Sequence, residues 1–460
     1  MKKATLAVLL IFFTSISFTS MAAPASSIIR NAFSSYYAVW ADTGEPIDGF
    51  HETAPLNPAS TTKLITAYCA LKELGGDYRF KTLFFSDGPI QNGVIHNLWI
   101  RGEGDPSMVN ESLLGIVDAL KNLGLRKITG DVIVDDSFFD AGDYPGRKSN
   151  NEKAYNALTS ATSLNFNSLE VQVQSNGRVP IVTLIPDTPY FHLVNKLQTG
   201  GRSAYVVIKS ENNGNFETIR VTGRIPSRMG PMSFYRTVQK PAKFFGEALV
   251  ASLKNNDVNI HGETRIGIVS PSSQMFFIWE SKPLDLILQD MNKFSNNFIA
   301  EQITKYLGVK KLGPPGTTEK GTTVFKNCLN DSGIATANLD IENGSGLTYN
   351  NKVSAEQLVQ VLTAAFASPK MREDYISSLS VYGQDGTMRR RHSPQLEGML
   401  VGKTGSLNGI STLAGFVPAA DGNAIAFAIL MNNYKWGRSN PHQLQDALVT
   451  KWMKSRRGKR

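Results

Sequence analysis

Hydrophobic positions along this chain recur with two periods, and the switches between them divide it. Tyr37-Ala38-Val39-Trp40, followed by the turn residues Asp42-Thr43-Gly44, predicts a strand pair. Pro58-Ala59-Ser60-Thr61-Thr62-Lys63 then opens a helix. Its apolar side is Leu64, Ala67, Leu71 and Leu74, at three- and four-residue steps, and Gly75-Gly76 stops it. From about Phe84 the texture changes to short strands broken by Gly, Asn and Asp, as in Gly93 to Ile100 and Asp131 to Val134. A block over residues 165–229 looks all-β: Leu169, Val171 and Val173 alternate on one face, and Val206 and Ile208 do the same. Helical spacing returns beyond Phe276, with Leu284, Leu288 and Met291 on one helix and Phe298, Ile299, Gln302 and Ile303 beginning the next. Met399–Gly405, Ser411–Val417 and Ile425–Met431 predict three adjacent antiparallel strands.

A weak internal echo sits in the middle. Ala119-Leu120-Lys121-Asn122 with Ile128-Thr129-Gly130-Asp131 matches Ser252-Leu253-Lys254-Asn255 with Ile260-His261-Gly262-Glu263. Each is a helix end followed by a strand start, so the two stretches are expected to pack side by side. The simplest architecture is a discontinuous α/β body built from both ends of the chain, with a two-part insertion between.

Composition narrows the class. At 460 residues, 41% hydrophobic and 19% charged, the chain is too apolar for disorder and long enough for two or three cores. Two cysteines cannot form a disulfide scaffold or a structural zinc cluster, and six scattered histidines include no His-x-x-x-His pair. No metal and no cofactor are therefore expected. Cys69, in the Ser60 helix, reads as a small core residue, with pairing to Cys328 left open. Lys2 and Lys3, an apolar stretch to about Phe18, and Ser20-Met21-Ala22-Ala23-Pro24 have the anatomy of a secretory signal over residues 1–22. Export to the periplasm follows, and nucleic acid is then not an expected partner. The net charge of +9 owes much to Lys454, Arg456, Arg457, Lys459 and Arg460, a basic tail that could touch anionic lipid or wall polymer.

Three short motifs carry chemistry. Ser60-x-x-Lys63 is unique in the chain and falls at a helix start, where Lys63 is within reach of the Ser60 hydroxyl. A serine is a poor nucleophile until a base takes its proton, and a lysine can do so if burial and nearby positive charge lower its pKa. An isolated match of this kind is more often a serine N-cap beside a solvated lysine. Lys403-Thr404-Gly405 is also unique and lies in a strand-like run, where glycine lets a substrate backbone lie close alongside and Thr404 and Ser406 offer hydroxyl donors. Ser295-Asn296-Asn297 is weaker, because Ser-x-Asn recurs at Ser149, Ser163, Ser210 and Ser406; its place at a junction between two helices singles it out.

Their order is the signature of penicillin-binding proteins and β-lactamases. The chain resembles the class C low-molecular-mass penicillin-binding proteins, D-alanyl-D-alanine carboxypeptidase/endopeptidases of the penicillin-binding protein 4 type. Arg101-Gly102-Glu103-Gly104-Asp105-Pro106, Gly130 to Asp135, Asn343-Gly344-Ser345-Gly346-Leu347, Asp385-Gly386-Thr387 and Leu413 to Val417 extend the likeness along nearly the whole length. The resemblance implies an α+β multidomain fold: a β-lactamase-like transpeptidase domain, antiparallel sheet with helices, interrupted by two inserted β-rich domains. The expected divisions are 23–85 with 273–460 for that domain, 86–164 with 230–272 for the outer insertion and 165–229 for the nested one.

It also implies roles. Ser60 is the nucleophile toward the penultimate D-Ala carbonyl and Lys63 its base. Ser295 relays a proton to the leaving amine, and Asn297 holds the acyl-side amide. Lys403, Thr404, Gly405 and Ser406 bind the terminal carboxylate and line the strand edge, with backbone N–H groups of Ser60 and Ser406 as an oxyanion hole. Peptidoglycan stem peptides are the expected substrates and β-lactams the covalent inhibitors. Relatives can place a carboxylate in the outer insertion to read the third stem residue; here Asp143 and Glu152 are the candidates, with neither a clean match. Two other readings stand beside this one, a serine β-lactamase and a non-catalytic peptidoglycan-binding module.

Overall fold

The computed structural model describes residues 33–434 and 440–457; the expected signal segment and the last three tail residues lie outside them. A six-stranded, wholly antiparallel sheet runs in the order Ser380–Val381, Val401–Leu407, Ile410–Pro418, Ala424–Asn432, Phe33–Trp40, Pro46–Phe50. The three C-terminal strands and the N-terminal pair are thus neighbours, as their alternation predicts.

Strand Ala424–Asn432 is apolar almost throughout because both of its faces are covered. Ala426, Ala428 and Leu430 pack toward one core, with helices Thr62–Leu74, Leu284–Lys293, Asn297–Leu312 and Ala355–Ala367. Ile425, Phe427, Ile429 and Met431 point the other way, against Leu444, Val449 and Trp452 of helix Pro441–Trp452. Small residues face the helices and large ones the single C-terminal helix, which fits the closer approach of the helical layer.

A five-stranded sheet, ordered Thr264–Ile266, Val132–Asp135, Leu98–Gly102, Lys81–Ser86, Gln274–Glu280, stands beside the first. The internal echo takes physical form here: Thr264–Ile266 pairs in parallel with Val132–Asp135, and Asn259–Ile260 pairs in parallel with Lys127–Ile128. Residues 168–237 form two three-stranded sheets, with Leu169, Val171 and Val173 on the buried face of Ser168–Asn176. They share one continuous core with the helices Asn110–Asn122 and Pro241–Asn255.

Two details differ from the sequence reading. The Ser60 helix has no solvent side over most of its length: Thr62 through Leu71 are all buried, including the polar Thr62, Lys63 and Thr66. Those polar residues are tolerated inside because each is hydrogen-bonded, Thr62 to Ala59 O and Thr66 to Gly344 O. Cys69 is not a simple core filler: it forms a disulfide with Cys328 of helix Thr318–Asn330, with Cα atoms 6.0 Å apart. The basic tail is also partly committed. Arg457 pairs with Asp42 and lies 4.9 Å over the Trp40 ring, which ties this cation to the sheet rather than to an outside partner.

The disulfide closes a chain separation of 259 residues and clamps the Ser60 helix to its neighbour. Reduction should lower stability by about 2–4 kcal/mol. Calorimetry of oxidised and reduced protein should show a clearly lower unfolding temperature for the reduced form; coincident transitions would remove the clamp from the account.

Candidate active site

Ser60 sits in a short 3-10 turn, Ala59–Thr61, that leads directly into helix Thr62–Leu74. The turn is held from both sides. Asn57 Oδ1 accepts from Ala59 N (2.8 Å), Thr61 and Thr412 hydroxyls donate to Pro58 O, and Asn57 is itself cross-linked to Asn432 of the central strand. These bonds hold Ala59 at φ +45°, a conformation that costs a side-chain-bearing residue about 1–2 kcal/mol. The strain falls on the residue before the candidate nucleophile.

Lys63 is fully buried and its Nζ meets three oxygens: Ser345 O at 2.6 Å, Asn297 Oδ1 at 2.8 Å and Ser60 Oγ at 3.1 Å. A carbonyl and an amide oxygen can only accept. A neutral amine spends its two N–H bonds on them, and its lone pair is left for the Ser60 hydroxyl. Burial brings Lys63 down to about 7, opposed by the charge of Glu301. Geometry and proton affinity therefore agree on a lysine able to take a proton from Ser60.

Lys403 is the second buried cation. Its Nζ donates to Ser295 Oγ at 2.9 Å and to its neighbour's carbonyl, Thr404 O, at 2.8 Å. Burial, then the Lys63 charge, hold it well below the usual lysine range. Two ammonium groups this close and this dry repel, so the pair titrates together. Ser295 lies between helices Leu284–Lys293 and Asn297–Leu312 at φ +54°, the sharp break that its place in the sequence predicts. Asn297 starts the second helix; its Oδ1 takes Lys63 and its Nδ2 donates to Tyr155 O.

Thr404 reaches Thr387 Oγ1 at 2.7 Å, and Ser406 is exposed farther along the same strand. Pairing on the outer edge of that strand runs to Gly402, opposite Ser380, so the edge from Lys403 onward faces the site. Gly405 has a different reason from the one its sequence suggests. A Cβ there would lie 2.8 Å from both Ser60 N and Pro58 O, so glycine lets the strand press against the Ser60 turn itself. The structure brings Ser60, Lys63 and Asn297 into one hydrogen-bonded group and Ser295 and Lys403 into a second, near enough for the Lys63 charge to act on Lys403, with Thr404, Gly405 and Ser406 along the same strand as Lys403.

Several residues escaped assignment from sequence. Ser345 supplies the carbonyl that fixes Lys63; the preceding glycine-rich letters were legible only as a shared stretch. Gly346, at φ +78°, is needed because a Cβ would run into Ala59 O. Asp385, four residues past the end of strand Ser380–Val381 and two before Thr387, pairs with Lys293 and accepts from Val381 N. Asp143 is engaged by Arg147 at 2.8 Å and Glu152 accepts from Ser210 N, so both carboxylates already have partners. Among the described residues no cluster of three or more His, Cys, Asp or Glu could hold a metal ion. No described helix is long and apolar enough to cross a membrane.

Antiparallel sheet, buried serine–lysine pair and second serine–lysine contact together define a serine peptidase of the penicillin-binding fold. The chain belongs to the D-Ala-D-Ala carboxypeptidase 3 (S13) family, whose pattern matches residues 22–454. It is 30% identical over 445 residues to the D-alanyl-D-alanine carboxypeptidase of Actinomadura sp. (strain R39), covering 92% of this chain and 81% of that one. The crystal structure of penicillin-binding protein 4 from Haemophilus influenzae superposes with TM-score 0.80 at 25% identity, covering 94% of this chain and 100% of the other. The same protein complexed with a β-lactam matches in fold, with TM-score 0.75 at 24% identity, over 94% of this chain and 99% of that one. The chain is thus an enzyme of the D-alanyl-D-alanine carboxypeptidase class, of the penicillin-binding protein 4 type.

Two outcomes follow. If Lys63 is the base toward Ser60, its neutral form is the reactive one, and because burial brings it down to about 7 the rate of acylation by a labelled penicillin should rise with pH through that region and level off above it. A rate that falls as pH rises from 6 to 8 would contradict the assignment of the base. Gly405→Ala should displace the Ser60 turn and slow acylation on the order of a hundredfold with the fold retained, measured by labelled-penicillin kinetics and circular dichroism.

Proposed function

We propose that the protein is an exported serine D-alanyl-D-alanine carboxypeptidase and endopeptidase of peptidoglycan, acting in the periplasm through an acyl-enzyme on Ser60 and blocked there by β-lactams. The observation that carries this reading is the pair of contacts Ser60 Oγ–Lys63 Nζ and Ser295 Oγ–Lys403 Nζ, at 3.1 and 2.9 Å, with the two lysines near enough for the Lys63 charge to act on Lys403.

The steps follow from the contacts. The Ser60 proton passes to Lys63 as Oγ bonds to the penultimate D-Ala carbonyl carbon. The negative charge that forms on the carbonyl oxygen is met by the backbone N–H groups of Ser60 and Ser406, at the start of a helix and on a strand edge. Ser295, polarised by Lys403, gives its proton to the leaving nitrogen as the C–N bond breaks, and regains one from Lys63. Water then gives a proton to Lys63 as its oxygen bonds to the ester carbon, and Lys63 returns that proton to Ser60 Oγ as the ester C–Oγ bond breaks. Asn297 orients the acyl-side amide, while Thr404 and Ser406 hold the terminal carboxylate. An arriving carboxylate also draws the shared proton onto Lys403, which leaves Lys63 neutral when substrate is bound.

Endopeptidase action is supported by space. A cavity of about 930 Å³ reaches Ser295, Asn296 and Asn297 and is bordered by Tyr155, Phe166, Tyr235 and Phe294, more room than a lone D-Ala requires. A second cavity of about 590 Å³, with Lys148, Tyr155, Glu342, Leu347 and Leu407 on its wall, lies on the other side of Tyr155 and offers space for the side chains of the stem peptide. The division into 23–85 with 273–460, 86–164 with 230–272, and 165–229 is retained as a working scheme; one core running from Phe84 to Ile260 supports an insertion as a whole, and its outer and nested parts share that core.

Intact-mass analysis after exposure to benzylpenicillin, with peptide mapping, tests the reading. One persistent adduct is expected, on the peptide containing Ser60, and none on Ser60→Ala. An adduct elsewhere, or no adduct on folded wild-type protein, overturns it; rapid loss of the adduct with penicillin turnover would favour a β-lactamase instead.

A further inference from the structure

We propose that Glu301 is a positioning residue for Lys63, holding in place the carbonyl that Lys63 binds and serving as its internal counter-charge. Glu301 lies one helical turn beyond Asn297 on the same helix, so both side chains reach the same side. It has no solvent exposure. Its Oε1 accepts from Ser345 N at 2.9 Å, and the carbonyl of that same residue accepts from Lys63 Nζ at 2.6 Å. The carboxylate and the lysine amine therefore hold one residue, Ser345, by its N–H and by its carbonyl.

The second oxygen, Oε2, is buried with no hydrogen-bond partner among the described residues. A half-satisfied carboxylate inside a protein is costly, and a site keeps one where its charge is used. Burial is the larger effect and raises Glu301 above the usual carboxylate range, opposed by Ser345, by the Lys63 charge and by the Gly344 backbone, which favour the carboxylate. The facing titratable groups are few. Lys63 comes from the Ser60 helix with Lys403 behind it, and Tyr144, itself buried, comes from the segment after strand Val132–Asp135. Lys305, the next cation along Glu301's own helix, is occupied by Asp140. Lys63 is thus the cation whose charge Glu301 balances, and the carboxylate raises its hold on a proton against the effect of burial.

The inference rests on Lys63 acting as base toward Ser60. The test is the pH dependence of the second-order rate of acylation by a fluorescent penicillin, on the full chain. Glu301→Gln keeps an acceptor for Ser345 N but removes the charge, so the acid limb should move to lower pH by about one pH unit, with the plateau nearly retained. A limb that coincides with wild type overturns the counter-charge role. Glu301→Asp keeps the charge but draws it back by one methylene; its acid limb should stay near wild type while the plateau falls about tenfold. A full wild-type plateau in that variant overturns the positioning role, and it decides the matter alone if the Gln variant does not fold. Failure of the Ser60 reading looks different: the wild-type protein itself takes no label at any pH.

Discussion

A lysine with no exposed surface is the constraint around which this molecule is organised. Leaving an ammonium or an amine unpaired in a dry core costs several kcal/mol, so Lys63 must be supplied with acceptors in a fixed geometry. The three it has come from the Ser60 turn, from the first residue of helix Asn297–Leu312 and from the loop at Ser345. These segments lie 234 to 282 residues away from Lys63 in the two distant cases. Folding the two ends of the chain into one body is what brings them together. The insertion between them can then be long, because loop-closure cost grows slowly with length.

The same node explains where small residues are required. Gly405 and Gly346 allow a strand and a loop to press on either side of the Ser60 turn, and side chains there would push on Ser60 N or Ala59 O. Positive φ at Ala59 and Ser295 marks the two serines of the cluster as the places where the backbone is bent out of its regular course. Around them the packing is dense and the polar groups mostly paired, and this tight surround holds the strained turns in place. Cys69–Cys328 adds a covalent tie on the far side of the Ser60 helix, away from the cleft.

Electrostatics and geometry act jointly at this site. Burial lowers both lysines, and the Lys63 charge lowers Lys403 further. Ligand charge can then shift the proton between them without any large motion. Glu301 fits the same logic from the opposite side, as a fixed charge that keeps Lys63 from losing its proton too readily.

Much was legible from the chain alone. The continuous apolar run Ile425–Met431 and the three-four spacing after Ser60 announced a strand and a helix, while burial of that helix on every side came from the layers packed around it. The order Ser60-x-x-Lys63, Ser295-x-Asn297, Lys403-Thr404-Gly405 picked out the residues proposed for the site, because those letters keep fixed local spacing. Contacts made by backbone atoms had no such signature. Ser345 acts through its carbonyl and Gly405 through the absence of a side chain, and Glu301 is one acidic letter among 39 acidic residues in the sequence. The Cys69–Cys328 bond stood in the sequence only as an open possibility, since pairing depends on distance in space. Residue chemistry and short-range periodicity are written locally; proximity between remote segments, and the burial that turns a lysine into a base, arise once the whole chain has packed.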